Sequence, residues 1–113
     1  MIEIWHNPRC SKSRQTLALL EESGVTPTVK LYQTDPPTAD EIRAVLALLG
    51  VSPAKIMRVK DGLFRDLGLS VDDDDTRLID AMVAHPALIE RPIVLANGKA
   101  ALGRPPEAVL DIL

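Results

Sequence analysis

The first third of this 113-residue chain has a strand–helix–strand pattern, which is typical of α/β folds. Apolar–polar alternation predicts a strand over residues 2–6, and the leucine spacing that follows predicts a helix over 11–23. Residues 28–32 predict a second strand. Two strands joined by a helix in this way are parallel, with a right-handed crossover. The chain therefore begins with an α/β unit.

The single cysteine, Cys10, lies in the turn between the predicted first strand and helix. Residues 6–14 (HNPRCSKSR) contain three fixed positive charges and no acidic residue, although the formal net charge of the chain is −3. A helix N-terminus favours an anion, and neighbouring cations stabilise a thiolate. The segment therefore predicts a reactive Cys10. The alternative, a small buried hydrophobe, is common for free cysteines but does not suit polar, charged flanks.

A lone cysteine also limits the redox chemistry. No internal disulfide can form, and the position three residues after Cys10 is Ser13 rather than a second cysteine. If Cys10 is oxidised during turnover, an external thiol must restore it by thiol–disulfide exchange. A redox cycle therefore requires a partner such as glutathione, glutaredoxin or thioredoxin.

Residues 36–86 are predicted to be mostly helical and to form an insertion. Thr38 and Glu41 match the capping box of a helix that Gly50 ends. The acidic run 72–75 lacks the spacing and the glycine of a calcium loop, and indicates a solvated loop whose end caps the next helix. Further helices are predicted over residues 53–58 and 64–67 and in the segment that Pro86 ends.

A β-hairpin followed by a helix is predicted for residues 92–113. Strands over 92–95 and 99–102 flank Asn97-Gly98, which is a strong type I′ turn signal. Pro105-Pro106 suits the first turn of a helix. The residues of this helix expected to face the core are Val109, Ile112 and Leu113. The predicted order is β-α-β, a helical insert, and β-β-α.

Composition excludes several classes of function. The pI near 5.3 and the absence of a basic stripe argue against nucleic-acid binding. No apolar run reaches transmembrane length, and no signal-peptide pattern is present, so a cytoplasmic location is expected. Two histidines and one cysteine lie at no metal-ligand spacing, so neither a metal nor a bound cofactor is expected.

Three separated motifs carry a resemblance to a known family: HNPRCSKSR at 6–14, ERPIV at 90–94 and GRPPE at 103–107. The chain resembles the glutaredoxin-linked arsenate reductases, and is closest to their short, arsenate-reductase-like branch. The resemblance implies a thioredoxin-like α/β fold, in which β-α-β and β-β-α units share a sheet and a helical segment is inserted. We expect a single domain over 1–113, with a core of about 1–35 and 87–113 and an insert of about 36–86.

In that family the cysteine attacks arsenate, glutathione attacks the arseno-cysteine adduct, arsenite leaves, and glutaredoxin clears the mixed disulfide. The resemblance therefore implies an arsenate reductase of arsenic detoxification, with glutathione as co-substrate and glutaredoxin as partner. It assigns the nucleophile to Cys10 and the binding of the oxyanion to Arg58, Arg91 and Arg104. Its polar neighbours that favour the thiolate are His6, Asn7 and Ser13. Pro92 is the structural proline of the site, and the Arg91–Pro92 bond is expected to be cis.

The chemistry of arsenate agrees with these assignments. Arsenate is a dianion near neutral pH and must approach an anionic thiolate, which requires fixed positive charge beside both. Arginine stays charged and presents a planar fork that matches a tetrahedral oxyanion. Among the effects that accelerate enzymatic reactions, preorganised charge of this kind typically contributes most.

Two other functions remain open. The chain could be an arsenate-reductase-like thiol oxidoreductase that acts on another substrate, such as a glutathione mixed disulfide. It could also be a redox-responsive regulator that binds RNA polymerase, since such regulators share this fold. Those regulators commonly switch through two cysteines, and Ser13 removes the second one here.

Overall fold

The structure, a computed structural model, describes residues 2–113. Met1, which the predicted core includes, lies outside the described residues. The chain divides into two compact units: one comprises the chain up to Asp35 together with Arg91–Leu113, and the other is Pro36–Glu90. The predicted organisation as one domain with an insert stays a prediction.

A four-stranded sheet forms the first unit. Strand β1 (Glu3–Trp5) leads through α1 (Ser11–Glu22) to the parallel strand β2 (Thr28–Lys30). Strands β3 (Ile93–Ala96) and β4 (Lys99–Leu102) form an antiparallel hairpin, and β3 is antiparallel to β1. The strand order is β2-β1-β3-β4. This topology is a thioredoxin-like fold, and the predicted α/β class is confirmed.

The hairpin turn has the predicted geometry. Asn97 has a φ of 54° and Gly98 a φ of 72°, and a type I′ turn requires positive φ at both central positions. The Nδ2 atom of Asn97 also donates to the carbonyl oxygen of Ile112 at 2.9 Å. The turn therefore holds the hairpin to the end of the chain.

The last helical segment differs from the prediction. Pro106–Ile112 is a 3₁₀ helix, and a period of three residues per turn puts Pro106, Val109 and Ile112 on its buried face. Leu113, expected in the core, is instead 39% exposed, because it lies one residue beyond that face. The buried cluster of this unit consists of Ile4, Leu20, Val94, Ala96, Val109 and Ile112.

The second unit is helical, as predicted. Helix α2 (Ala39–Leu49) begins with the predicted capping box and ends at Gly50, whose φ is 67°. The predicted helix over 53–58 is a 3₁₀ helix that ends at Ile56, and the one over 64–67 is α3 (Gly62–Asp66). Asp74 caps α4 (Asp75–Ala84), and a 3₁₀ helix follows at Pro86–Leu88. Within residues 2–113, no helix is both long enough and apolar enough to cross a membrane.

Candidate active site

Cys10 is the N-cap residue of α1, as its position in the sequence predicted. Its backbone is extended (φ −95°, ψ 123°), and its N–H donates to the carbonyl oxygen of Asn7 at 3.0 Å. The first intrahelical bond runs from the N–H of Arg14 to the carbonyl oxygen of Cys10, also at 3.0 Å. Only 9% of Cys10 is exposed, but its side chain faces backbone N–H groups of the first helical turn. The buried thiol therefore lies in polar surroundings.

Several groups act on the acidity of this thiol. Burial is the largest influence and raises the pKa of Cys10. The N–H of Ser13, the charge of Arg91, the N–H of Lys12 and a hydrogen bond from the Arg91 side chain lower that pKa and outweigh burial. The pKa of Cys10 therefore lies below its ordinary value, and the thiolate is favoured.

We expect Cys10 to be alkylated by iodoacetamide at pH values where an ordinary thiol, with a pKa of about 8.5, is slow. The rate should decrease only as the pH falls through the depressed pKa. Stopped-flow rates measured between about pH 5 and pH 9, with glutathione as the reference thiol, test this prediction. An inflection at the ordinary cysteine value would contradict it.

The first unit brings two of the predicted arginines to Cys10. Arg91 directly precedes Pro92, the residue before β3, and the Arg91–Pro92 bond is cis, as predicted. Arg104 follows β4, and its Nη2 atom lies 3.8 Å from the Sγ of Cys10. The Nε of Arg104 donates to the carbonyl oxygen of Arg91 at 2.9 Å, so the backbone at one arginine orients the other. The Arg104–Pro105 bond is also cis, which the sequence did not predict.

His6, Asn7 and Ser13 form a hydrogen-bonded network beside the cysteine loop. The Oγ of Ser13 lies 2.7 Å from the Nδ1 of His6 and accepts from the Asn7 N–H at 3.0 Å. The Oδ1 of Asn7 in turn accepts from the N–H of Arg9 at 3.0 Å. Burial, and to a lesser extent the charge of Arg14, lower the pKa of His6, so its ring is neutral at pH 7. That these three side chains support the thiolate stays a prediction. Because the His6 ring is neutral, it cannot do so through a positive charge.

The third predicted arginine, Arg58, belongs to the second unit. Its Nη1 atom forms an ion pair with Asp61 at 3.0 Å, and its N–H donates to the carbonyl oxygen of Leu88 at 2.7 Å. In this ion pair the Arg58 side chain is 36% exposed. Binding of an oxyanion by Arg58 stays a prediction.

The source of the positive charge differs from the one that the sequence suggested. The sequence attributed the lowered pKa of Cys10 to the helix N-terminus, which is confirmed, and to the cations of residues 6–14. The charge that lowers it is that of Arg91, and the other large contributions are backbone N–H groups of α1. Arg14 instead donates from Nη1 to the carbonyl oxygen of Pro8 at 2.9 Å, and its side chain is exposed. No local pattern around Cys10 could have indicated an arginine that lies two residues before β3.

The fold and the site together define a class: thioredoxin-like proteins with a helix-capping cysteine thiolate beside arginine side chains. Residues 5–112 match the model of the ArsC family. The arsenate reductase of Neisseria meningitidis serogroup B is 51% identical, over 99% of this chain and 97% of that protein. YfgD of Escherichia coli K12, whose name states no activity, is 52% identical over 99% of this chain and 96% of that protein. The structure of an arsenate reductase from Vibrio cholerae superposes with a TM-score of 0.95 at 47% identity, covering 99% and 97% of the two chains.

These similarities extend over nearly the whole length of both partners, and the chain belongs to the ArsC family. The family resemblance that the three sequence motifs indicated is thereby confirmed.

Proposed function

We propose that this protein is a glutathione- and glutaredoxin-dependent arsenate reductase. The observation that carries the proposal is the Cys10 Sγ, favoured as thiolate, 3.8 Å from the Nη2 of Arg104 and under the charge of Arg91. Relatives named arsenate reductase at 51% identity support the same substrate. Thiol chemistry of this kind requires a reducing compartment, and we place it in the cytoplasm.

The first step is attack of the Cys10 thiolate on the arsenic of arsenate. A sulfur–arsenic bond forms, and an arsenic-bound oxygen leaves as water after taking up protons, so arsenic stays pentavalent. The guanidinium groups of Arg91 and Arg104 offset the repulsion between thiolate and oxyanion. The resemblance adds Arg58 as a third cation that holds the oxyanion.

The second step transfers the electrons. A glutathione thiolate attacks the sulfur of the Cys10 adduct, and a sulfur–sulfur bond forms. The electron pair of the broken sulfur–arsenic bond remains on arsenic, which leaves as trivalent arsenite. Cys10 is then a mixed disulfide with glutathione, and the chain has no second cysteine to resolve it. A glutaredoxin thiolate attacks the glutathione sulfur and releases the Cys10 thiolate for the next cycle.

The test is arsenite formation by the purified protein with arsenate, glutathione, glutaredoxin, glutathione reductase and NADPH. We expect turnover that requires both glutathione and glutaredoxin, and little turnover when thioredoxin and its reductase replace them. An assay on a glutathionylated peptide, run in parallel, separates this activity from that of a general thiol oxidoreductase. Peptide deglutathionylation without arsenite formation would reject the proposed substrate, and arsenite formation with thioredoxin alone would reject the proposed donor.

A further inference from the structure

Gly103 is a buried residue that directly follows β4, and its surroundings leave no room for a side chain. A Cβ atom at this position would lie 2.6 Å from the Cγ of Pro92 and 2.7 Å from the Oγ1 of Thr16. It would also lie 3.0 Å from the Cδ of Pro92, and real Cβ atoms essentially never approach other atoms within 3.0 Å. Any larger residue must therefore move these neighbours.

The neighbours are held in place. Pro92 is buried and its ring is rigid, and its carbonyl oxygen accepts from the Gly103 N–H at 2.9 Å. Thr16 is completely buried, and its Oγ1 donates to the carbonyl oxygen of Lys12 at 2.8 Å. Neither group can swing away as the end of a long surface side chain could.

Close approach, rather than backbone conformation, is the reason for a glycine here. At the glycines with positive φ, an added Cβ would have no other heavy atom within 4 Å; these are Gly24, Gly50, Gly68 and Gly98. Gly103 is not among the residues with positive φ, yet it has the closest contacts. Its missing side chain therefore lets β4, Pro92 and α1 come together.

The three segments that meet at Gly103 carry the reactive groups of the site. Thr16 lies on α1, whose N-cap is Cys10, and Pro92 follows Arg91. Gly103 directly precedes Arg104, whose guanidinium contacts both the Arg91 carbonyl oxygen and the Cys10 Sγ. If an added methyl group pushed these segments apart, Arg104 would move away from the sulfur of Cys10.

We infer that Gly103 is a positioning residue, which by its lack of a side chain sets the distance of Arg104 and Arg91 from the sulfur of Cys10. For arsenate turnover this inference rests on the proposed function. For the ionisation of Cys10 it does not, because that property is measured without arsenate.

The test compares Gly103→Ala with Gly62→Ala. Gly62 starts α3, and a Cβ there would meet only the Nη2 of Arg65, at an ordinary 3.6 Å. In Gly103→Ala we expect alkylation of Cys10 at about pH 6 to slow on the order of tenfold, since weakening a hydrogen bond to a charged group has about that effect. The kcat/KM for arsenate should decrease by a similar factor, and its pH profile should move to higher pH. Gly62→Ala should match the wild type in all three measurements.

A double variant distinguishes positioning from simple loss of stability. Thr16→Ala removes the atom 2.7 Å from the new methyl group, so Thr16→Ala/Gly103→Ala should recover part of the alkylation rate. A folded Gly103→Ala protein with the wild-type alkylation rate would overturn the inference. Failure of both Gly103→Ala and the double variant to fold would also overturn it. Slow alkylation in a protein whose wild type makes no arsenite would support the inference and reject the proposed function.

Discussion

Replacing Cys10 by serine should abolish arsenate reduction, with a loss of at least about a thousandfold in kcat, as for removal of other catalytic nucleophiles. Two properties of sulfur are lost. A serine hydroxyl is not ionised near pH 7, whereas the surroundings of Cys10 lower its pKa and favour the thiolate. An alkoxide could not be oxidised to a mixed disulfide with glutathione, so electrons would have no route to arsenic. The measurement is arsenite formation in the coupled assay.

The serine variant should keep its fold, because Cys10 is the N-cap residue of α1 and serine is favourable at that position. Circular dichroism and thermal unfolding serve as the check. Ser11→Ala is a matched control, since Ser11 is the exposed residue that follows Cys10 and should leave turnover unchanged. Glutathione-dependent turnover by Cys10→Ser would contradict the proposed mechanism.

Local patterns in the sequence predicted the parts of the fold that local interactions determine. The capping box at Thr38 and Glu41 forms with both hydrogen bonds, at 3.1 and 3.0 Å, because its two partners are three residues apart. The Asn97-Gly98 turn forms because few other dipeptides tolerate two positive φ angles. The position of Cys10 at the helix start could be predicted because the first strand and the helix have separate, strong periodicities.

These local patterns could not predict the 3₁₀ helices. Val109 and Ile112 are three residues apart, a spacing that suits an α-helix and a 3₁₀ helix equally. Only Leu113 distinguishes the two, since an α-helical face would include it and a 3₁₀ face does not. The spacing of apolar residues in this segment therefore does not by itself specify which helix forms.

The site itself depends on contacts between residues far apart in the chain. The Cys10 segment predicted a reactive thiol, but it contains no information on which cations reach the sulfur. Arg91 and Arg104 could be assigned only by family resemblance, and their contacts follow from the pairing of β1 with β3 and of β3 with β4. The role of Gly103 was not visible either, because a required close approach shows only when the neighbouring atoms are known.

Replacing Arg104 by lysine should reduce kcat/KM for arsenate nearly as much as replacing it by alanine, on the order of tenfold to a hundredfold in both variants. The guanidinium of Arg104 makes two contacts at once, from Nε to the Arg91 carbonyl oxygen at 2.9 Å and from Nη2 toward Cys10 Sγ at 3.8 Å. A lysine ammonium is a single point of charge at the end of a flexible chain. It can bind the carbonyl oxygen or approach the sulfur. It has no second nitrogen that the first contact could hold in place at the other group.

The lysine variant retains the net charge of the chain, so it separates geometry from long-range electrostatics. If orientation through the Arg91 carbonyl oxygen matters, Arg104→Lys should raise KM for arsenate and slow alkylation of Cys10 at about pH 6, as Arg104→Ala does. Arg43→Lys is a suitable control, because Arg43 is exposed in the second unit and pairs only loosely with Asp40, at 3.7 Å. Wild-type kinetics in Arg104→Lys would show that positive charge near the sulfur is sufficient. The fixed fork of the guanidinium would then have no part in holding the oxyanion.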